Sequence, residues 1–144
     1  MPTVRKSVLL GHSADKMYAL VERVEDYPAF LPWCGAARVH ERTERGMIAT
    51  LAIAYHGLNQ SFTTQNEHEP GRAIRMRLRE GPFSSLTGQW RFVPLAPDAC
   101  RIEFELDYAF RNPLVARLVG PVFDRIAATF VDAFVQRAER LYGC

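Results

Sequence analysis

The sequence has no apolar run approaching the ~18 residues that a membrane-spanning helix needs, which excludes a helical membrane protein. Its beginning, MPTVRKSVLLGHSAD, carries one short apolar patch and no cleavage-site pattern, so no signal peptide is expected and the expected location is the cytoplasm. Cysteine is scarce. Cys34, Cys100 and Cys144 are an odd number without metal-type spacing, which speaks against a disulfide framework and against a zinc site; they read as reduced and structural, Cys144 as incidental. None of the four histidines stands at ligand spacing from another histidine, a cysteine or a carboxylate. His12 falls at a strand-to-helix junction, His40 among arginines, His56 at a strand end and His68 beside a turn, so no metal is expected. A glycine-rich phosphate loop and a nucleophile motif are both missing. General acid–base chemistry needs titratable groups aimed into a pocket, and that supply is thin. The expectation is therefore binding rather than catalysis, with no catalytic residue and no cofactor. Repeats, low-complexity tracts and linkers are also absent, and residues 1–144 read as one domain.

What is present is a change of period along the chain. Residues 3–10, TVRKSVLL, read as a strand. GHSADKMYALVERV follows as a short helix with Ser13 as its N-cap and Met17, Leu20, Val21 and Val24 on one face. From Ala37 to Phe110 the period is two, with turns marked by TERG, HG, EPG, EGPF and APDA. Met47, Ala49, Leu51, Ile53 and Tyr55 share a face. Ile74, Met76 and Leu78 oppose Arg75, Arg77 and Arg79, and Ile102, Phe104, Leu106 and Tyr108 oppose Arg101, Glu103, Glu105 and Asp107. Such alternation implies an antiparallel sheet with one face on a core and the other in water. After Asn112 the period becomes helical, with Val115, Leu118, Val119, Val122, Ile126, Phe130, Ala133, Phe134 and Leu141 as the apolar stripe, and Gly120–Pro121 should kink or restart the helix.

About thirty residues make a helix of ~45 Å, long enough to cross a whole curved sheet. A curved antiparallel sheet of seven strands around a long C-terminal helix, closed at one end by two short helices, tends to leave a cavity between helix and sheet. The inward phases hold Gln60, Thr64, Asn66 and Gly88 among large apolar residues, the mixture of an apolar pocket with a few orienting polar groups. The segment VEDYPAFLPWC, residues 24–34, adds three aromatics and two prolines. Each proline disfavours helix at the residue before it, here Tyr27 and Leu31, so any helix in this segment is short. Its aromatics read either as a plug at one end of the core or as a lid on the pocket.

Over essentially the whole chain, through EDYPAFLPWC, GPFSSLTGQWRF, CRIEFELDYAF and VDAFVQRAERLY, the sequence resembles the family of bacterial ribosome-association toxins (RatA) and mitochondrial coenzyme Q-binding proteins. That family lies within the START and polyketide cyclase superfamily. The resemblance implies an α+β helix-grip fold of the START or Bet v 1-like kind, with a lipid pocket. Mitochondrial members bind ubiquinone and support respiration, whereas the enterobacterial toxin is associated with blocking ribosomal subunit joining. Arg23 is a departure, since relatives often carry an acidic residue there.

The leading expectation is non-enzymatic binding of a hydrophobic ligand, ubiquinone or a related polyisoprenoid quinone. Tyr27, Phe30, Leu31, Trp33, Phe62, Met76, Phe83, Trp90, Phe104 and Tyr108 are the candidate pocket residues. Gly88 should leave room beside Trp90 for a quinone ring or a helix side chain. Phe30, Leu31 and Trp33 would form an apolar rim able to touch a membrane surface transiently, at the inner membrane. The alternative, of a different class, is binding to the large ribosomal subunit that blocks subunit association. Its support is the basic stripe of Arg72, Arg75, Arg77 and Arg79, able to contact phosphates or equally to pair with neighbouring acids. No exposed aromatics accompany the stripe, which argues against sequence-specific RNA reading. A polyketide cyclase or dehydrase activity ranks last.

Overall fold

The computed structural model describes residues 3–55 and 57–143, apart from the side chain of Leu58; His56 and Cys144 lie outside the described residues. The chain runs β1 (Thr3–Leu10), α1 (Ala14–Glu22), a 3-10 turn (Val24–Asp26), α2 (Tyr27–Phe30), β2 (Cys34–Thr43), β3 (Gly46–Tyr55), β4 (Leu58–Glu69), β5 (Ala73–Glu80), β6 (Phe83–Ala96), β7 (Ala99–Phe110) and α3 (Pro113–Tyr142). The strands form one antiparallel sheet in the order β1-β7-β6-β5-β4-β3-β2. From β2 to β7 each strand pairs with the next, a meander of hairpins, and β1 closes the other edge against β7. Register shifts interrupt β2 twice, β4 beside β5 once and β6 beside β7 twice. Bulges of this kind bend and twist a sheet, and the result is the expected helix grip.

Local chemistry sets the helix ends. The Ser13 hydroxyl accepts a hydrogen bond from the Lys16 amide at 3.1 Å, and the Asn112 side chain accepts one from the Val115 amide at 2.9 Å, each satisfying an otherwise orphaned donor. Pro113 occupies the first turn of α3, where the missing amide hydrogen is harmless. Pro121 does not restart the helix: α3 runs unbroken through it. Pro121 and Arg117, four residues earlier, are both exposed, so solvent can replace the missing bond. Tyr27 also departs from expectation. It is helical, with φ −55° and ψ −41°, although Pro28 follows. Its hydroxyl donates to the Val21 carbonyl at 2.5 Å and its ring packs edge-on against Phe134 at 5.2 Å, interactions that outweigh the local steric preference. Leu31, before Pro32, is extended as expected, with φ −94° and ψ 114°.

The buried face of α3 is rotated from the expected stripe. Phe123, Ala127, Val131 and Ala138 are buried, whereas Leu118 is 63% exposed and Leu141 50%. Two aromatic clusters hold the helix to the sheet. One joins Trp90, Phe104, Phe130 and Phe134, with Trp90 and Phe104 4.6 Å apart. The other joins Phe62, Phe83, Tyr108, Phe110 and Phe123, with Phe123 4.7 Å from Tyr108 and 4.8 Å from Phe83. Among the described residues no helix is long and apolar enough to cross a membrane.

Candidate ligand cavity

Between the two aromatic clusters the sheet and α3 do not meet completely, and a cavity of about 70 Å³ remains. Six of the ten sequence candidates line it: Tyr27, Trp33, Phe62, Met76, Trp90 and Phe104. The other four do not. Phe30 is half-buried against Phe134 with the Arg137 guanidinium 5.0 Å over its ring, beside a surface groove. Leu31 is core. Phe83 is stacked on Phe110 within the second cluster. Tyr108 is buried there too, donating its hydroxyl to Asp124 at 2.5 Å. Burial first, and then that hydrogen bond, push the Tyr108 hydroxyl pKa up, so it stays protonated. Leu31 and Trp33 are 2% and 4% exposed, so of the expected apolar rim only Phe30 reaches the surface. Trp33 is part of the cavity wall, tilted against Phe130 at 5.9 Å.

Gly88 makes the close approach expected of it, with different neighbours. A Cβ there would come within 2.7 Å of Met76 Cε and 3.0 Å of Leu106 Cδ1, side chains of the flanking strands rather than of the helix. Gly81 likewise lets the β5–β6 turn settle on Phe62, whose Cβ would lie 2.8 Å from an added methyl.

The polar part of the wall is concentrated on β4. Thr64, Asn66 and His68 are 8%, 7% and 5% exposed and all face the cavity. His68, assigned above to a turn, is the functional candidate that sequence reasoning missed, although counting by two from Phe62 would have reached it. Gln60, in the same phase, is exposed and borders a separate surface groove, which it shares with Val115, Leu118 and Val119 of α3. Asn66 Oδ1 and His68 Nε2 are buried with no hydrogen-bond partner. Burial, helped by the charge of Arg42, holds the His68 imidazole below its ordinary pKa, and the ring meets Tyr18 edge-on at 6.2 Å. Arg42 itself is clamped on α1 and the 3-10 turn, to Glu22 at 2.9 Å and to both oxygens of Glu25 at 2.6 and 2.7 Å. Glu22 also borders the cavity. The hydrogen bond from Arg42 lowers the Glu25 pKa.

Of the arginine stripe, Arg75, Arg77 and Arg79 lie on the opposite, outer face of the sheet, and Arg72 sits in the turn before β5. Arg75 pairs with Glu69 at 2.7 Å and Arg79 donates to Gln65 at 3.3 Å. Arg72 and Arg77 are exposed with no side-chain partner among the described residues. Further along the same face Arg91 and Arg101 both approach Glu103.

A curved sheet closed over a long helix, with a largely apolar chamber between them, defines a helix-grip protein of the START or Bet v 1-like class. Residues 10–135 match the family described as polyketide cyclase / dehydrase and lipid transport, and the chain belongs to that family. The ribosome association toxin RatA of Pseudomonas aeruginosa is 45% identical over 97% of each chain. The mitochondrial coenzyme Q-binding protein COQ10 of Drosophila melanogaster is 29% identical over 96% of this chain and 59% of its own. Among solved structures, the Zhui aromatase/cyclase from Streptomyces sp. R1128 superposes with a TM-score of 0.84 at 19% identity, over 96% of this chain and 94% of that one, a likeness of fold alone.

Proposed function

We propose that the protein binds a hydrophobic small molecule in the cavity between sheet and α3, a polyisoprenoid quinone of the ubiquinone type, without transforming it. The observation that carries this reading is the cavity wall: aromatic and aliphatic nearly throughout, with its buried polar groups gathered on one strand and two of them unpaired. That division suits a ligand with one polar end and a long apolar remainder. The likeness to a protein named for coenzyme Q binding points the same way. Burying ~400 Å² of an isoprenoid tail is worth on the order of 10 kcal/mol before association costs are subtracted. A space of about 70 Å³ is smaller than the ~300–1,000 Å³ of ordinary ligand pockets, so the ligand enters by displacing wall residues. Met47 and Met76, unbranched thioether chains, are the most compliant of these. Organic extracts of the purified protein should contain a quinone or another polyisoprenoid by mass spectrometry, and repeated extracts free of lipid would refute the reading.

A second reading rests on different residues. The relatives named as ribosome association toxins are the more similar ones, and the outer face carries Arg77, without a side-chain partner among the described residues, beside the paired Arg75 and Arg79, with exposed Arg72 in the adjoining β4–β5 turn. This face supports an electrostatic contact with ribosomal RNA on the large subunit. Co-sedimentation with that subunit should then weaken steeply with salt and disappear when Arg75, Arg77 and Arg79 are replaced by Glu. No co-sedimentation even at low salt would remove this reading. Stripe and cavity occupy opposite faces of the sheet, so the two activities are compatible.

A further inference from the structure

Asn66 and His68 are hard to explain as structure. Asparagine is disfavoured in strands, and a buried polar atom left unpaired carries the full desolvation penalty of its group. Here two such atoms, Asn66 Oδ1 and His68 Nε2, sit on residues that are 7% and 5% exposed and face the same cavity. Two positions apart on one strand, they are separated along it by ~6.8 Å, a distance that one substituted aromatic ring can bridge. Replacement of either by an apolar residue would relieve the penalty, so a ligand is the natural reason for keeping them.

Their hydrogen-bonding inventory says which ligand. An amide offers an acceptor together with two donors, and a neutral imidazole offers one of each. Burial and the nearby Arg42 favour the neutral ring. Asn66 Oδ1 is an acceptor, and the neutral His68 Nε2 accepts or donates according to its tautomer, so the two orphaned atoms present at least one acceptor to the cavity. A carbonyl oxygen can only accept, and would leave that acceptor unmatched. A hydroxyl both donates and accepts, as water does. A ligand that displaces water from these groups without reproducing its hydrogen bonds loses affinity.

We propose that the cavity selects the reduced, hydroxyl-bearing form of its aromatic ligand, a quinol or another phenol, over the carbonyl-only oxidised ring, and that Asn66 and His68 read the difference. This rests on the reading of the cavity as a ligand site and adds to it a chemical class and a redox state. Sites built to hydrogen-bond a hydroxyl discriminate strongly against analogues lacking it, and a preference of at least about tenfold is expected. The protein transfers no electrons in this scheme. By linkage, a tenfold preference for the two-electron-reduced ring raises the midpoint of the bound couple by about 30 mV, so the bound quinol is harder to oxidise than the free one.

The test is an anaerobic titration of the full chain with decylubiquinone and, separately, with dithionite-reduced decylubiquinol. Tryptophan fluorescence is a suitable signal, because the two tryptophans of the sequence, Trp33 and Trp90, both line the cavity. The quinol should bind at least about tenfold more tightly. Asn66→Leu and His68→Phe should each bring the ratio towards one by weakening the quinol, while melting temperature stays level or rises. His68→Gln, which keeps a donor and an acceptor, should retain the preference. Equal affinities, or tighter binding of the quinone, overturn the selectivity while leaving the ligand reading intact. A ratio unchanged in both apolar variants overturns the assignment to these residues, and no saturable binding of either form overturns the ligand reading itself.

Discussion

His68 couples the cavity to pH through its surroundings: Tyr18 and Glu22 on α1, Arg42 on β2, and neutral Asn66 beside it on β4. Its folded-state pKa lies below the ordinary value near 6.5, so between those two values the unfolded chain binds the extra proton. The stability contributed by a neutral His68 is complete above about 6.5 and is lost as pH falls towards the folded value. Thermal melts should therefore show stability falling as pH drops below about 6.5, a fall that is visibly smaller in His68→Phe; identical profiles would contradict the burial argument. Glu25 acts in a separate window, because its pKa is lowered from about 4.5, and its pairing with Arg42 is lost only in more acidic solution. Trp33 carries a different lesson. Being 4% exposed and packed on Phe130, it should cost about 3–5 kcal/mol of stability when replaced by Ala, measurable by denaturant unfolding. A lid residue at the surface would lose far less.

At the scale of elements, the strands were legible because alternation survives wherever one sheet face is dry, and β1 to β7 fall where the period of two places them. Which inward residues face the cavity was not legible. Phase along a strand names the face but not the position along it, so Phe83 and Tyr108 point inward yet lie under the second aromatic cluster, away from the cavity. The α3 stripe was misjudged by a partial rotation, since a helix apolar on most of its circumference does not declare which side the sheet takes. Tyr27 was misjudged because a buried hydroxyl bond and ring packing can override the residue-before-proline preference. Gly88 was read correctly as a place of close approach, and its actual neighbours give a prediction. Gly88→Ala must push Met76 Cε or Leu106 Cδ1, and Met76 has the cavity to move into. A loss of about 1–2 kcal/mol is expected, with ligand affinity falling several-fold because the displaced methionine takes up ligand space. Unchanged affinity would place the ligand elsewhere.

For the molecule as a whole, the sheet separates two chemistries. Its concave side, under α3, is apolar with the β4 polar groups set into it; its convex side carries the arginines. The chain's likeness to proteins named for ribosome association and for coenzyme Q binding then needs no choice between surfaces. The cavity is the more demanding claim, because a ligand larger than the present 70 Å³ has to part α3 from the sheet. Ala49 lines the cavity and is 3% exposed, so Ala49→Leu adds three carbons into that space without touching the convex face. The most direct measurement is therefore mass spectrometry of organic extracts from wild-type protein and Ala49→Leu purified side by side from quinone-producing cells. The account predicts a quinone or related polyisoprenoid in the wild-type extract and little or none in the variant. Lipid absent from both, or present equally in both, would contradict it.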